Sequence, residues 1–255
     1  MITVKSKEEI EILREGGGKL AAILKDVLAA ARPGAKTKTL DEIAERLIRA
    51  AGGKPAFKGY RTSGAKFPFP ASVCVSVNDE VVHGIPSRRE LMSGDIVGFD
   101  IGMNYRGLFT DMARSIAVGG LTDKKGEELL EVTEKALEIG ISKVKAGARV
   151  GDIGEAVQQY VESFGFGVVR SLVGHGVGYK VHEDPEIPNW GVAGTGPMLK
   201  ENMVIAIEPM VTEGAPDVFP APDGWTWKTK NQKRAAHFEH SIVVLQDSAQ
   251  ILTKI

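Results

Sequence analysis

The sequence predicts an α+β fold made of two related halves, with a functional site where the halves meet. Three observations support this: the order helix, helix, strands occurs twice, short sequence blocks repeat, and carboxylates end matching apolar runs. The 255 residues, 43% of them hydrophobic, are enough for a sizeable core. Because no linker separates the halves, we expect one catalytic domain, residues 1–255, with halves at about 1–120 and 121–255.

Helical spacing of apolar residues predicts helices, and short apolar runs bounded by turn residues predict strands. In chain order we expect helices at about 7–31, 39–51, 123–145 and from 152 onwards, and strands at about 73–77, 81–83, 95–118 (a hairpin), 166–170, 203–211 and 237–245. Three consecutive glycines, Gly16 to Gly18, weaken the first helix prediction because glycine disfavours helix interiors. Asp152, with Glu155 three residues later, is interpreted as the capped start of the fourth helix.

The repeat is visible in three pairs of sequence blocks. PGAKTKTLDEIAERLI (33–48) aligns with AGARVGDIGEAVQQYV (146–161). GDIVGFD (94–100) aligns with NMVIAIE (202–208), and TDMARSIAV (110–118) parallels FEHSIVV (238–244). This alignment predicts that Asp111 and Glu239 occupy equivalent places in the two halves.

Charge and cysteine content narrow the functional classes. The net charge of −1 and the lack of like-charge runs argue against a DNA-binding protein. A single cysteine, Cys74, excludes an internal disulfide and fits a reducing compartment. The N-terminal residues lack a signal-peptide core, and no stretch approaches the ~20 apolar residues of a membrane helix. We therefore expect a cytoplasmic enzyme or binding domain that contacts neither DNA nor membranes.

Asp100 and Asp111 stand in the two apolar strands of the predicted hairpin. With Tyr105-Arg106 as a two-residue turn, the two aspartates pair directly across the strands, with Cβ atoms ~5 Å apart. Carboxylates this close repel each other unless a cation lies between them or one is protonated. The pattern therefore predicts a metal seat, and the plainer alternative is two solvated acids on an edge hairpin.

The second half adds three candidate ligands. Glu208 ends the apolar run MVIAI, Glu239 lies inside AHFEHSIVV, and His175 stands between glycines in VGHGVG. Four carboxylates and one imidazole are too many for one ordinary zinc site and suit two divalent ions ~3.5–4 Å apart. This oxygen-rich set favours Mn, Fe(II), Co or Zn. The flanking His237 and His240 receive no role, with His240 a candidate to support the ligands from behind.

These residues, in this order, resemble the methionine aminopeptidases of the bacterial type (type I). The likeness covers essentially the whole chain, including VSVNDEVVHGIP (75–86), GHGVGYKVHEDPEIPN (174–189) and PDGWTWKTKNQKRAAHFEH (222–240). It implies the pita-bread fold, in which two pseudo-symmetric halves share a central antiparallel sheet with helices outside. It also implies a hydrolase that removes the initiator methionine from nascent polypeptides with a small second residue. Two divalent ions would activate the attacking water, and the family leaves room for a further monovalent cation.

The resemblance assigns roles to single positions. The implied metal ligands are Asp100, Asp111, His175, Glu208 and Glu239. Glu208 would also carry the proton of the attacking water, His182 would hydrogen-bond the scissile carbonyl, and His83 would lie near the scissile amide nitrogen. The implied methionine pocket contains Tyr60, Cys74 and Trp225.

Several of these positions have plainer interpretations. Cys74 alone is typical of a small core residue, and Trp225 alone is typical of loop packing. His83 and His182 lie near glycine or proline, where histidines often cap turns.

Two features depart from the family pattern. The segment RTSGAKFPFPAS (61–72) is longer and more aromatic, and Val181 stands where the family usually has an aromatic residue. We expect a wider or differently built methionine pocket, with Phe67 and Phe69 closing or reshaping it.

Two other functions stay open. A peptidase of the Xaa-Pro aminopeptidase or prolidase class would use the same fold and the same five ligands. A non-catalytic binding module is the alternative from another class, and the complete ligand set argues against it. A transient ribosome contact is also open, because a modest basic cluster lies beside the site; its plainer interpretation is a solvated loop. The cluster contains Lys228, Lys230, Lys233 and Arg234.

Overall fold

Four helices and fifteen strands are found in the residues that the computed structural model describes, 2–62, 65–120 and 123–254. The helices are α1 (Lys7–Ala30), α2 (Thr37–Ala50), α3 (Lys124–Ser142) and α4 (Val150–Ser163). The strands are β1 (Lys54–Pro55), β2 (Val73–Val77), β3 (Glu80–Val82), β4 (Ile96–Tyr105), β5 (Leu108–Ala117), β6 (Gly167–Val168), β7 (Gly174–Gly176), β8 (Glu183–Ile187), β9 (Val204–Ile207), β10 (Met210–Thr212), β11 (Val218–Pro220), β12 (Trp227–Thr229), β13 (Ala235–His237), β14 (Glu239–Val244) and β15 (Ala249–Ile251). Within these ranges, no helix has the length and apolar character needed to cross a bilayer.

The predicted central antiparallel sheet is confirmed. Seven strands follow one another in the order β1-β4-β5-β14-β9-β7-β8, while β2 pairs with β4 and β15 with β14. The two halves of the chain meet where β5 pairs with β14. Two small sheets, β13-β10-β6 and β11-β12-β3, flank this one.

Alternation along the strands separates the apolar cores from the acids. Phe99 and Ile101 of β4 are fully buried in the core that contains residues of α1 and α2. Ile207 of β9 is buried in the equivalent core of the second half, with residues of α3 and α4. Because successive side chains point to opposite faces, Asp100 and Glu208 turn away from the helices.

The hairpin register differs from the prediction by one residue in each strand. Arg106 and Gly107, both with positive φ (51° and 91°), form the turn, and Gly107 N–H donates to Asn104 Oδ1 at 3.1 Å. Two positive φ angles are typical of a type I′ turn, which favours glycine at its second position. Asp100 therefore pairs with Ala113 and not with Asp111. The two aspartates remain on one face, as diagonal neighbours.

The glycine run inside α1 is explained by close approach of other backbone. A Cβ on Gly17 would lie 2.3 Å from the carbonyl oxygen of Leu252, and one on Gly16 would lie 3.1 Å from Tyr105 Cβ. A Cβ on Gly18 would meet nothing within 4 Å. The helix is therefore stabilised by packing that larger residues at the first two positions would prevent.

The repeated blocks adopt the same local structure in both halves. α2 and α4 each contain 14 residues. Each helix follows a glycine in the left-handed region, Gly34 with φ 84° and Gly147 with φ 87°. The N–H of Gly34 donates to Leu91 O at 2.7 Å, and the N–H of Gly147 donates to Leu199 O at 2.9 Å.

The equivalence of Asp111 and Glu239 was predicted wrongly. The strands are aligned by two equivalent hydrogen bonds, Gly94 N–H to Val118 O and Asn202 N–H to Val244 O, each 2.8 Å long. Five residues before these acceptors lie Ala113 and Glu239, which also face each other across the β5–β14 pair. Asp111 is thus equivalent to His237. The second acid of each half therefore stands at a different position along its strand.

The prediction that Asp152 starts the fourth helix is wrong. It is the third residue of α4, and its Oδ2 accepts a hydrogen bond from the N–H of Arg149 at 2.7 Å. Its Oδ1 accepts from the N–H of Gly194 at 2.7 Å, and Glu155 accepts from the N–H of Ala193 at 3.1 Å. Both acids therefore hold the loop at residues 193–194 against the start of α4. They do not form a capping box with each other.

Replacing Gly34 or Gly147 with alanine should each lower the free energy of unfolding by about 1 kcal/mol, because alanine is strained at positive φ. Gly18→Ala, a matched change inside α1, should instead raise it by about 0.5–1 kcal/mol. Urea denaturation followed by circular dichroism measures all three. Equal effects of the three changes would contradict the assigned backbone conformations.

Candidate metal centre

A cavity of about 310 Å³ lies on the face of the central sheet that turns away from the helices. All ten predicted site residues line it: Tyr60, Cys74, His83, Asp100, Asp111, His175, His182, Glu208, Trp225 and Glu239. The cavity lies where β4, β5, β7, β9 and β14 run side by side. The fold therefore gathers residues that are far apart in the sequence into one site.

Three overlapping groups of side chains bring their ligand atoms within 4.8 Å of one another. They are Asp100, Asp111 and Glu239; His175, Glu208 and Glu239; and Asp111, His175 and His182. Glu239 belongs to the two groups that contain most of the acids. This arrangement suits two neighbouring cations that share a carboxylate.

Unpaired buried atoms show that the protein alone does not satisfy this site. Asp100 Oδ1, Asp111 Oδ1 and Glu239 Oε1 are buried without a hydrogen-bond partner. His175 donates from Nδ1 to the carbonyl of Gly176 at 2.9 Å. This leaves its Nε2 facing the acids, 3.5 Å from Glu208 Oε1 and 4.0 Å from Glu239 Oε1. Unpaired oxygens and a free imidazole nitrogen fit divalent cations.

Burial and mutual repulsion strongly perturb the acids. Burial, followed by the charge of Glu208, raises the pKa of Asp111 to about 8. Burial raises the pKa of Glu208 to about 8 as well. Burial and the neighbouring carboxylates hold the pKa values of Asp100 and Glu239 well above their usual range. Without cations, these groups would therefore retain protons near neutral pH.

Two histidines that are not among the five predicted ligands border the same cavity. His182 lies beside His175, with ring centroids 4.4 Å apart, and its Nδ1 is 2.7 Å from the Tyr60 hydroxyl. His83 has a positive φ of 58° and faces Trp225, with ring centroids 6.5 Å apart. Burial lowers the pKa of His83 to about 4, so its ring is neutral at physiological pH.

An apolar pocket adjoins the acids. Cys74, Phe69 and Trp225 are buried in one cluster, and the rings of Phe69 and Trp225 meet edge to face at 5.3 Å. Burial and the nearby Asp100 and Asp111 raise the pKa of the Cys74 thiol well above its ordinary value, so it stays protonated. The cavity thus combines a polar acid floor with a thiol-lined and aromatic side.

The departures from the family pattern shape this pocket in part as expected. Phe69 lines the cavity, and Val181 is buried in the same cluster. Phe67 does not: its side chain is exposed, and only its carbonyl contributes, accepting a hydrogen bond from Trp225 Nε1 at 3.1 Å. Segment 61–72 therefore positions the tryptophan through its backbone. Residues 63 and 64 lie outside the described part of the chain.

His237 is a site residue to which the sequence analysis gave no role. Its ring is buried, and its Nε2 lies 3.3 Å from Glu208 Oε2. The neighbouring Phe238 is buried in the helix-side core, so strand alternation along 237–239 could have placed His237 beside Glu239. His240 is placed differently, with Nδ1 3.0 Å from Thr253 Oγ1. It is therefore His237, and not His240, that lies next to a predicted ligand, although its Nε2 makes no hydrogen bond.

The metal-free protein should lose stability as the pH rises from 7 to 8.5. The folded-state pKa values of Asp111 and Glu208 exceed the unfolded value near 4, so protonated acids favour the folded state and this contribution is lost as the pH passes through 8. We expect the free energy of unfolding to fall by about 2 kcal/mol, because each of the two acids loses about one proton over this range. Buried histidines offset only part of it, because in the unfolded state each histidine is still about a quarter protonated at pH 7 and loses that proton by pH 8.5.

Urea titrations of metal-stripped protein at the two pH values measure this loss, with saturating Mn²⁺ as the control. Bound metal should remove the difference because it takes the place of the protons. Stripped protein that is equally stable at both values would contradict the assigned carboxylate cluster.

Comparisons with known proteins show the family to which the chain belongs. The chain matches the model of metallopeptidase family M24 over residues 11–246. It is 45% identical over 255 residues to methionine aminopeptidase 1 of Bacillus subtilis, with all of both chains covered. The crystal structure of methionine aminopeptidase from Thermotoga maritima matches with a TM-score of 0.95 and 43% identity, again over all of both chains.

A more distant neighbour confirms the fold class. The prolidase from Pyrococcus furiosus matches with a TM-score of 0.76 and 22% identity, over 99% of this chain and 65% of the prolidase. At this identity the likeness shows a common fold, the predicted pita-bread fold, and nothing about substrate. The two matches that cover both chains completely have a higher sequence identity, and both are methionine aminopeptidases. The chain therefore belongs to metallopeptidase family M24 and, within it, to the methionine aminopeptidases.

Proposed function

We propose that this protein removes the N-terminal methionine from polypeptides with a small second residue, by hydrolysing the first peptide bond. The observation that carries this proposal is one cavity in which two overlapping acid groups adjoin a pocket of thiol and aromatic side chains. The acids suit hydrolysis by a metallopeptidase. The pocket suits an unbranched thioether side chain, which makes favourable contacts with aromatic rings.

Five residues would hold two divalent ions: Asp100, Asp111, His175, Glu208 and Glu239. Their oxygen-rich donor set supports Mn, Fe(II), Co or Zn, and the two groups that share Glu239 support a pair. Such ions supply Lewis-acid activation of water and of the scissile carbonyl. A further monovalent cation is not needed for this chemistry.

Glu208 would move the proton during hydrolysis. A carboxylate whose pKa is raised toward neutrality can accept a proton from the attacking water and deliver it to the leaving amine. His237 Nε2, 3.3 Å from Glu208 Oε2, would hold that carboxylate with its other oxygen toward His175. The support is geometric: Glu208 is the acid that contacts both imidazoles.

Two histidines would bind the peptide bond itself. The Tyr60 hydroxyl can donate to His182 Nδ1, which leaves Nε2–H free to donate to the scissile carbonyl oxygen as negative charge develops there. His83, neutral and on the Trp225 side of the cavity, would contact the scissile amide nitrogen. Both residues line the same cavity as the acids.

The methionine side chain would lie against Phe69, Cys74 and Trp225. This assignment rests on their common cluster and on the edge-to-face contact that fixes the tryptophan. A neutral thiol suits an apolar ligand. The thiol, the two rings and the adjacent Val181 would together set the width of the pocket.

The partners follow from this activity. The substrates would be nascent polypeptide N-termini, and the reaction would take place in the cytoplasm. The whole chain would act as one catalytic domain, because the central sheet runs through both halves. A transient ribosome contact stays a prediction. In the basic cluster, Lys228 pairs with Asp79 at 2.8 Å and Arg234 pairs with Glu213, so part of its charge is already neutralised.

Metal-stripped protein should cleave Met-Ala-Ser only after Mn, Fe(II), Co or Zn is added back, and it should leave Ala-Pro-Ser intact. Asp111→Asn should lower kcat/KM at least about 100-fold because it removes a buried ligand charge. Asp247→Asn, a matched change at an exposed position, should have no effect. Released amino acids are measured by chromatography.

Cleavage of Ala-Pro-Ser alone would move the protein to the Xaa-Pro class. Tight binding of two metal ions with no cleavage of either peptide would favour the binding-module alternative. Full activity of Asp111→Asn would contradict the proposed ligand set.

A further inference from the structure

The loop that carries His182 connects β7 to β8 over residues 177–182. Within the cavity, the ring of His182 is held at Nδ1, which lies 2.7 Å from the Tyr60 hydroxyl. Its other nitrogen, Nε2, would bind the scissile carbonyl oxygen. Where Nε2 lies therefore depends on how firmly the backbone of the loop is held.

The first residue of β8 closes this loop. Glu183 Oε1 accepts hydrogen bonds from the backbone N–H groups of Tyr179 and Lys180. The other carboxylate oxygen, Oε2, bonds to the N-terminal residues of the chain. It accepts a hydrogen bond from Thr3 Oγ1 at 2.6 Å and another from Lys5 Nζ at 3.0 Å. One carboxylate therefore joins the loop to the N-terminal segment.

Lys5 is the buried part of this connection. Its side chain has no exposed surface, and that of Glu183 is only 5% exposed. The ammonium group also lies over the Tyr179 ring, 4.2 Å from its centroid. A Cβ on Gly178 would overlap Lys5 Cε, so the glycine leaves the space that the lysine stem fills. Because the ion pair is buried, loss of either charge would leave the other without its partner.

The N-terminal segment is itself anchored to both halves of the protein. The N–H of Lys5 donates to Asn202 O, just before β9, at 2.9 Å. The next residue, Ser6, is the N-cap of α1 and forms a capping box with Glu9. Glu9 Oε2 in turn accepts a hydrogen bond from the Tyr179 hydroxyl at 2.9 Å. The loop is thus attached to a segment that is fixed before any substrate binds.

We propose that Lys5 is a positioning residue for the hydrolysis. Through its ion pair with Glu183 it holds the loop so that His182 Nε2 reaches the scissile carbonyl oxygen. Lys5 does not line the active cavity, so it acts through the loop and not on the substrate. This proposal rests on the proposed function, because it takes His182 to bind the scissile carbonyl. That bond strengthens as charge develops in the transition state, so a misplaced His182 lowers kcat more than it raises KM.

The test measures kcat and KM for Met-Ala-Ser in two backgrounds, the wild type and His182→Ala. Lys5→Met keeps the length of the side chain and removes its charge. In the wild-type background it should lower kcat about tenfold and change KM less than about twofold. In the His182→Ala background it should cause no further loss, because the residue through which it acts is absent.

The matched control is Lys7→Met, the same change at the exposed first residue of α1, which should leave kcat unchanged in both backgrounds. Two readouts need no substrate. Amide hydrogen exchange of residues 178–182, followed by mass spectrometry, should be at least about fivefold faster in Lys5→Met than in the wild type. Calorimetric titration with Mn²⁺ should not change, because Lys5 belongs to none of the candidate ligand groups.

Equal losses of kcat in the two backgrounds would overturn the proposal, since a merely structural role gives that result. An unchanged kcat or unchanged hydrogen exchange in Lys5→Met would overturn it as well. Should Lys5→Met fold poorly, Thr3→Val decides: it removes one hydrogen bond to Glu183 and should lower kcat about threefold in the wild-type background alone. Failure of the wild type to cleave Met-Ala-Ser would instead contradict the proposed function, on which this proposal rests.

Discussion

Electrostatic repulsion among four carboxylates in one buried cavity is the constraint on which the rest of this structure depends. Burial raises the pKa values of Asp100, Asp111, Glu208 and Glu239, and several of their oxygens lack any hydrogen-bond partner. An apolar core on the helix side of each half holds the strands that carry them. The acids therefore cannot move apart into water, and their repulsion is relieved by protons in the metal-free protein or by bound cations.

Duplication of one structural unit explains how the acids meet, and departures from the repeat explain why the site is not symmetric. Asp100, inside β4, and Glu208, directly after β9, occupy equivalent positions, but the partner of Glu239 across the central junction is Ala113. One half thus supplies an acid where the other supplies a methyl group.

Much of the site could be predicted because strand alternation and residue type are local signals. The structure brings the five predicted ligands together in one cavity, and the sequence signal for the acids was that a buried acid ending an apolar run needs a positive partner. The hairpin register was wrong because turn type depends on the φ angles of Arg106 and Gly107, which the spacing alone does not fix. His237 was missed, and the glycine run in α1 was doubted, because both depend on tertiary contacts.

We propose that two cation sites share the carboxylate of Glu239. Calorimetric titration of metal-stripped protein with Mn²⁺ tests this, comparing the wild type with Glu239→Gln and with Glu201→Gln as an exposed control. We expect about two ions for the wild type and the control, and weakened binding at both sites for Glu239→Gln, because Glu239 belongs to two of the candidate ligand groups. A single wild-type ion, or two ions bound equally well by Glu239→Gln, would contradict it.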